Sequence, residues 1–381
     1  MKKVYLVLEN GSIFQGYYFG IEKEVFGEVV FTTGMTGYLE TLTDPSYTGQ
    51  IVVQTFPLIG NYGIIPTDFE SNFIGASAYI VKEWCQDPSN FRSEEDIDTF
   101  FKCRGMTGLY DIDTRALTKM LREYGTMNGV ITENVDTIDL EELKKYQVVR
   151  PVAKVSVKEK YEEVAEIGKY RVVVLDFGLK ENIKRELLLR NCDLCVMPYN
   201  STEQQILAFK PDGVMLTNGP GDPKDNIEAI DTIYKLYDLG VPIFGICLGH
   251  QLLALANGFQ TKKMKYGHRG ANQAVKDTTT KRVYITSQNH GYEVVAESID
   301  ERKASVSYIN ANDNTCEGIA YIGKPAFSVQ FHPEACGGPR DSAFLFDYFI
   351  EMMKEYKNQS FCDTTISINS KSTNTEGPTC L

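Results

Sequence analysis

Histidine is scarce in this chain: it holds four, at positions 250, 268, 290 and 332. Chemistry that needs an imidazole has few residues to draw on, and no pair of them shows metal-ligand spacing, so no metal site is expected. Basic residues do not outnumber acidic ones. The net charge is -12, which argues against nucleic acid as a main partner, since no cationic excess exists to neutralise phosphates. No apolar run approaches the length of a membrane span. The start, Met1-Lys2-Lys3-Val4-Tyr5-Leu6-Val7-Leu8, lacks a cleavage site and has too short an apolar stretch for a signal peptide. The nine Cys are scattered, odd in number and without framework spacing, which suits a reducing cytoplasm. Cys192 and Cys195 stand as an isolated pair on an expected strand and are read as chance. No Walker-type phosphate loop is present.

What is there organises itself around Val241-Pro242-Ile243-Phe244-Gly245-Ile246-Cys247-Leu248-Gly249-His250-Gln251. Ile243 to Ile246 reads as a short buried strand. Leu248, Leu252, Leu253 and Leu255 follow at helical spacing. The Gly-x-Cys-x-Gly between them is the nucleophile-elbow pattern, with Cys in place of Ser. Its glycines flank a bend that a Cβ would crowd. The sulfur of Cys247 then stands at a helix N-terminus, a position that favours the thiolate.

Around this stretch the chain divides. Residues 1–150 read as a β-rich first domain. It opens with a hairpin turning at Asn10-Gly11, with strands at 27–31 and 50–54. The stretch 33–47, rich in Gly and Thr, is too long for a plain connection and must be functional or packed on a neighbour. A helix opens after Asp111, capped by Asp113 or Thr114 and stopped by Gly125; a shorter one is expected over 137–146. Residues 151–169 read as a linker. From 170 to 357 strands and helices alternate, which predicts an α/β domain on a mainly parallel central sheet flanked by helices. After the elbow the pattern turns to short strands, with His268 and His290 in glycine-containing loops, and a final helix is expected over 341–356. Residues 358–381, rich in Ser, Thr and Asn, read as a disordered tail.

A thiolate nucleophile needs a base and an oxyanion hole. His250 sits within the elbow helix and is awkwardly placed. His332 follows a strand end and precedes Pro333, so its backbone is biased to extended geometry. Glu334, two residues on, then lies on the same side and can orient the imidazole. The alternative is an exposed loop His beside a solvated Glu. The amide of Leu248 is one oxyanion donor. In Asn218-Gly219-Pro220-Gly221-Asp222-Pro223, Pro220 has no N–H, so Gly219 or Gly221 would supply the other.

Gly245–Gln251, Asn218–Pro223 and Phe331-His332-Pro333-Glu334-Ala335 together resemble the class I (triad) glutamine amidotransferases, in the family's order. Thr33–Tyr38, Leu42-Thr43-Asp44-Pro45-Ser46-Tyr47, Pro57–Gly63 and Asp111–Leu117 resemble the amino-terminal domain of the carbamoyl-phosphate synthase small subunit. The resemblance covers residues 1–357. It implies a Cys247–His332–Glu334 triad that hydrolyses L-glutamine through a thioester. It also implies a glutamine site lined by Ser46, Gly219, Gly221, Leu248, Gln251, Asn289, Gly291 and Tyr292, with Tyr292 standing where Phe is commoner. Ser46 at that site requires the two domains to pack together there. The implied partner is a large subunit, in a heterodimer open to further assembly. That subunit receives the ammonia through a tunnel and makes carbamoyl phosphate from bicarbonate and two ATP with Mg; this chain carries no cofactor of its own. A glutaminase subunit of another synthase, such as one for anthranilate, would lack the first domain. A non-catalytic scaffolding subunit would be expected to lose Cys247 or His332.

Overall fold

The computed structural model describes residues 2–371, with side chains described through Asn358. The first domain is a closed barrel of seven strands. Around it run Lys3–Leu8, Ile13–Gly20, Thr107–Tyr110, Ala78–Ile80, Gln50–Gln54, Val25–Thr32 and Met127–Thr132, the last returning to pair with the first. The first two strands form the expected hairpin. Alternation sorts the side chains. Val29, Phe31, Ile51 and Val53 pack with Leu117 and Leu121 of the helix Thr114–Tyr124. Val30 and Val52 turn to the other face, against Phe100, Phe101 and the stretch after Thr33. Asp113 is the residue that caps the helix, accepting from the Ala116 amide at 2.9 Å. The helix expected over 137–146 is shorter, Leu140–Lys144.

The second domain is built on a ten-stranded sheet. Its middle is parallel: Cys192–Pro198, Tyr170–Asp176, Gly213–Leu216, Ile243–Ile246 and Ala326–Val329. Val173, Leu175 and Val214 pack on one face against Ile233, Leu236, Leu252 and Leu253. Val172, Val174 and Met215 pack on the other against Ile183, Leu187, Phe346 and Phe349. A sheet covered on both faces explains why these strands read as continuous apolar runs.

Three expectations are corrected. The stretch 151–169 is not a free linker: Pro151–Val155 is helical, Val152 joins the second core, and Tyr161–Glu163 pairs antiparallel with 194–196 as an edge strand. The chain after the elbow does not stay short-stranded. Thr261–Asp277 and Val283–Val294 form a long antiparallel hairpin, interrupted by register shifts near Gly267 and between Gly270 and Gln273. His268 and His290 therefore sit opposite each other on strands, not in loops. The last helix runs from Phe344 to Lys371, so the backbone is helical well into the expected tail; residues 372–381 lie outside the described residues. Among the described residues no helix is long and apolar enough to cross a membrane.

Candidate active site

The carboxyl ends of the parallel strands gather the site, as the topology of an α/β sheet dictates. At Cys247 the chain leaves the strand Ile243–Ile246 and enters the helix Leu248–Ala256 through φ 54°, ψ -103°. A non-glycine residue holds this conformation only where its surroundings enforce it. The two glycines are what let the surroundings close in. A Cβ on Gly249 would lie 2.3 Å from the Leu216 carbonyl oxygen, and one on Gly245 would lie 2.8 Å from the Gly249 carbonyl oxygen. Gly249 N–H donates to the Thr217 carbonyl at 3.0 Å, and Cys247 N–H to that of Val329 at 2.9 Å. The turn is thus pinned to both neighbouring strands.

His332 and Glu334 follow the strand Ala326–Val329 and are both buried. Glu334 Oε1 accepts from His332 Nδ1 at 2.7 Å. The two groups are paired and buried, which excludes the exposed-loop alternative. Burial and the nearby Lys180 ammonium act to lower the His332 pKa. The Glu334 carboxylate and Cys247 outweigh them, and the imidazole is held protonated well above its ordinary range. Burial likewise acts against the Glu334 carboxylate, but His332 and Lys180 hold it ionised. The Nε2 atom of His332 has no hydrogen-bond partner among the described residues, and the Cys247 sulfur lies near enough to act on the charge of the ring.

Lys180, missed in the sequence reading, begins the helix that follows the strand Tyr170–Asp176. Its Nζ lies 3.4 Å from Asp44 Oδ2, 3.5 Å from Glu334 Oε1 and 3.3 Å from His332 Nδ1. With Glu334 accepting the Nδ1 proton, the last contact sets two donors together and is adverse, which is why Lys180 opposes the charge on His332. Burial would discharge the ammonium, but Asp44, Glu334 and Glu70 keep it protonated. The available signal was topological, a Lys just past the carboxyl end of a central strand.

The first domain reaches the site through the stretch after Thr33, which folds as a helix, Tyr38–Thr43, and a 3-10 turn, Pro45–Tyr47. Ser46 Oγ accepts from Asn218 Nδ2 at 3.0 Å, and Asp44 Oδ2 accepts from Asn289 Nδ2 at 2.9 Å. A cavity of about 490 Å³ opens there, lined by Cys247, Ser46, Gly219, Gly221, Gln251, Asn289, Gly291 and Tyr292 among others. These are the residues the resemblance groups together, with one exception. Leu248 is not on the cavity wall; it starts the elbow helix and packs so close to Gly219 that a Cβ there would lie 2.8 Å from its Cδ2. Gly221, at φ +90°, leaves no room for a Cβ, which would meet Pro151 Cγ at 2.4 Å. Gln251 Nε2 donates to the Tyr292 carbonyl and to Gln330 Oε1, both at 2.9 Å. A second cavity, about 80 Å³, is lined by Asp44, Lys180, His332 and Gly337 among others.

The other histidines are engaged elsewhere. His250 is buried on Ser328 Oγ at 2.8 Å, and burial lowers its pKa to about 3. His268, His290 and Glu317 lie within a common ligand distance, a proximity made by strand pairing that sequence spacing does not display. Their donor atoms are taken by protein partners: His268 Nε2 by Asp313 at 2.8 Å, His290 by the Tyr292 carbonyl and Gln288.

Two family models match the chain. Residues 6–131 match the family model of the carbamoyl-phosphate synthase small chain, CPSase domain, and residues 173–352 match that of glutamine amidotransferase class-I. The carbamoyl phosphate synthase small chain of Bacillus caldolyticus is 51% identical over 93% of this chain and 97% of its own length. That of Caldanaerobacter subterraneus subsp. tengcongensis is 49% identical over 94% and 99%, and that of Bacillus thuringiensis subsp. konkukian 50% identical over 93% and 97%.

Proposed function

Because the chain belongs to the carbamoyl-phosphate synthase small chain family, we propose that it is the glutaminase subunit of a glutamine-hydrolysing carbamoyl-phosphate synthase. The observation that carries the reading is the buried Cys247, His332 and Glu334 beside a cavity that both domains line. The Cys247 thiolate attacks the side-chain amide carbon of L-glutamine. The oxyanion is met by the Leu248 amide and by that of Gly219 or Gly221. The imidazolium of His332 gives its proton to the departing nitrogen, releasing ammonia and leaving a thioester on Cys247. His332, now neutral, takes a proton from water, whose oxygen attacks the thioester and frees glutamate and the thiolate. Glu334 keeps the ring in one orientation throughout. Ammonia leaves by the smaller cavity, which His332 lines, toward a large partner subunit. That partner consumes it with bicarbonate and two ATP.

The test uses Cys247→Ser in the assembled enzyme. Glutamine-dependent carbamoyl phosphate synthesis should be lost, because the hydroxyl lacks a thiolate's nucleophilicity. Synthesis from added ammonia should persist. Equal loss of both activities would make Cys247 structural and refute the assignment.

A further inference from the structure

Arg269 stands on the long strand Thr261–Asp277, directly across from Asn289. It is 4% exposed, yet it lines the same cavity as Cys247 and Gly291. Its guanidinium is poorly provided for. Nη1 donates to the Tyr266 carbonyl at 2.7 Å, while Nε has no partner among the described residues. Among the described residues no carboxylate forms an ion pair with it. Glu28 acts on it only at longer range, and the Glu28 carboxylate is already taken by Lys263 at 2.6 Å, Thr126 at 3.0 Å and Gln50 at 3.1 Å. A buried guanidinium is kept charged at the expense of its hydration, and such groups are paired in folded proteins. Here the missing partner faces a cavity. The neighbouring wall is Gly291, where a Cβ would come within 3.2 Å of Nη2. The absence of that Cβ leaves the fork open to whatever fills the cavity.

We propose that Arg269 is the receptor for the α-carboxylate of the substrate amino acid. The inference rests on the reading of this cavity as a glutamine site and says which part of glutamine the site selects. A planar fork of N–H donors matches a carboxylate in geometry and charge. A carboxylate at the far end of the substrate from the reacting amide would complete the ion pair and fix the amide before Cys247. A substrate without it would leave the guanidinium unpaired, the condition under which polar sites discriminate most strongly.

The experiment compares two amides on the full chain: L-glutamine, and 4-aminobutanamide, which keeps the amide and the amino group but has no α-carboxylate. The wild-type kcat/KM should favour glutamine by about a hundredfold or more. In Arg269→Gln and Arg269→Lys that preference should shrink at least about tenfold, through KM for glutamine, with the 4-aminobutanamide rate within about threefold of wild type. A binding readout without turnover accompanies it: the glutamine concentration that half-protects Cys247 from iodoacetamide should rise about tenfold in Arg269→Gln. Variants that lose both substrates in proportion, with unchanged protection, overturn the proposal. So does an alkaline shift in the pH profile of Cys247 alkylation with the preference intact, which would assign the guanidinium to the thiolate. A wild-type chain that hydrolyses neither amide overturns the glutaminase reading and this one together.

Discussion

Between His332 and Glu334 the balance of charge is decided by opposing neighbours, and that makes it testable. Burial and Lys180 press the imidazole toward neutrality, while the carboxylate and the thiol hold its proton. Glu334→Gln removes the larger of the supporting charges without changing shape. The pKa of His332 should then fall. On the proposed mechanism the ring is protonated to release ammonia, so the alkaline limb of the kcat/KM profile should move to lower pH, with a loss of about tenfold or more at the optimum. Glutaminase rates across the pH range check both. Cys247, His332 and Glu334 were legible as candidates because each stands in or beside a short motif whose backbone chemistry is local: glycines about a cysteine, a proline after a histidine. Lys180, Asp44 and Arg269 were not. Lys180 and Asp44 act on groups more than 80 positions away, and Arg269 reaches the cavity only through the pairing of two strands, contacts that only the folded chain creates.

The elbow is an element whose geometry depends on two hydrogen atoms where other residues carry methyl groups. Gly249→Ala would put a Cβ 2.3 Å from a backbone oxygen of the adjacent strand, and that atom cannot rotate away. The bend must open, which should cost about 1–3 kcal/mol of stability and displace Cys247 by a fraction of the distance over which attack geometry is lost. Glutaminase activity should fall about a hundredfold while the chain still folds; urea unfolding and steady-state kinetics separate the two effects. The elbow, the parallel strands and their helices were readable because their periodicities are sustained and flanked by clear breakers. The long hairpin was not. Residues 261–277 mix Lys, Gly, His, Arg and Gln without clean alternation, since bulges reset the phase twice. The edge strand at 161–163 was hidden for a related reason. An edge position exposes part of its surface, so charged residues there resemble a linker.

At the scale of the whole molecule, Lys180 belongs to the second domain but answers carboxylates of both: Asp44 and Glu70 from the first, Glu334 from its own. Glu70 shows the strain of this arrangement. Burial raises its pKa to about 7 even with the Lys180 charge opposing the shift. Lys180→Met should leave Asp44 and Glu70 without a cation, with Glu334 keeping His332 alone, and destabilise the chain by about 3–5 kcal/mol. Glu70 is held above its ordinary 4.5, and a carboxyl of this kind loses stability as pH rises. The deficit should therefore be larger near about pH 8 than near about pH 5 in urea unfolding. The two-domain plan was visible in the sequence, and so was the need for Ser46 to reach the second domain; the shared charge at the seam was not.

That seam also fixes when the site comes into being. Domains fold in the order in which synthesis releases them, so the barrel can close while Cys247 is still to be made. The nucleophile elbow then forms, and His332 and Glu334 are the last of the machinery to be translated. On the proposed mechanism, a half-made chain carries either the barrel without its nucleophile or the nucleophile without its proton donor. Glutamine hydrolysis, as proposed here, waits until His332 and Glu334 have been made.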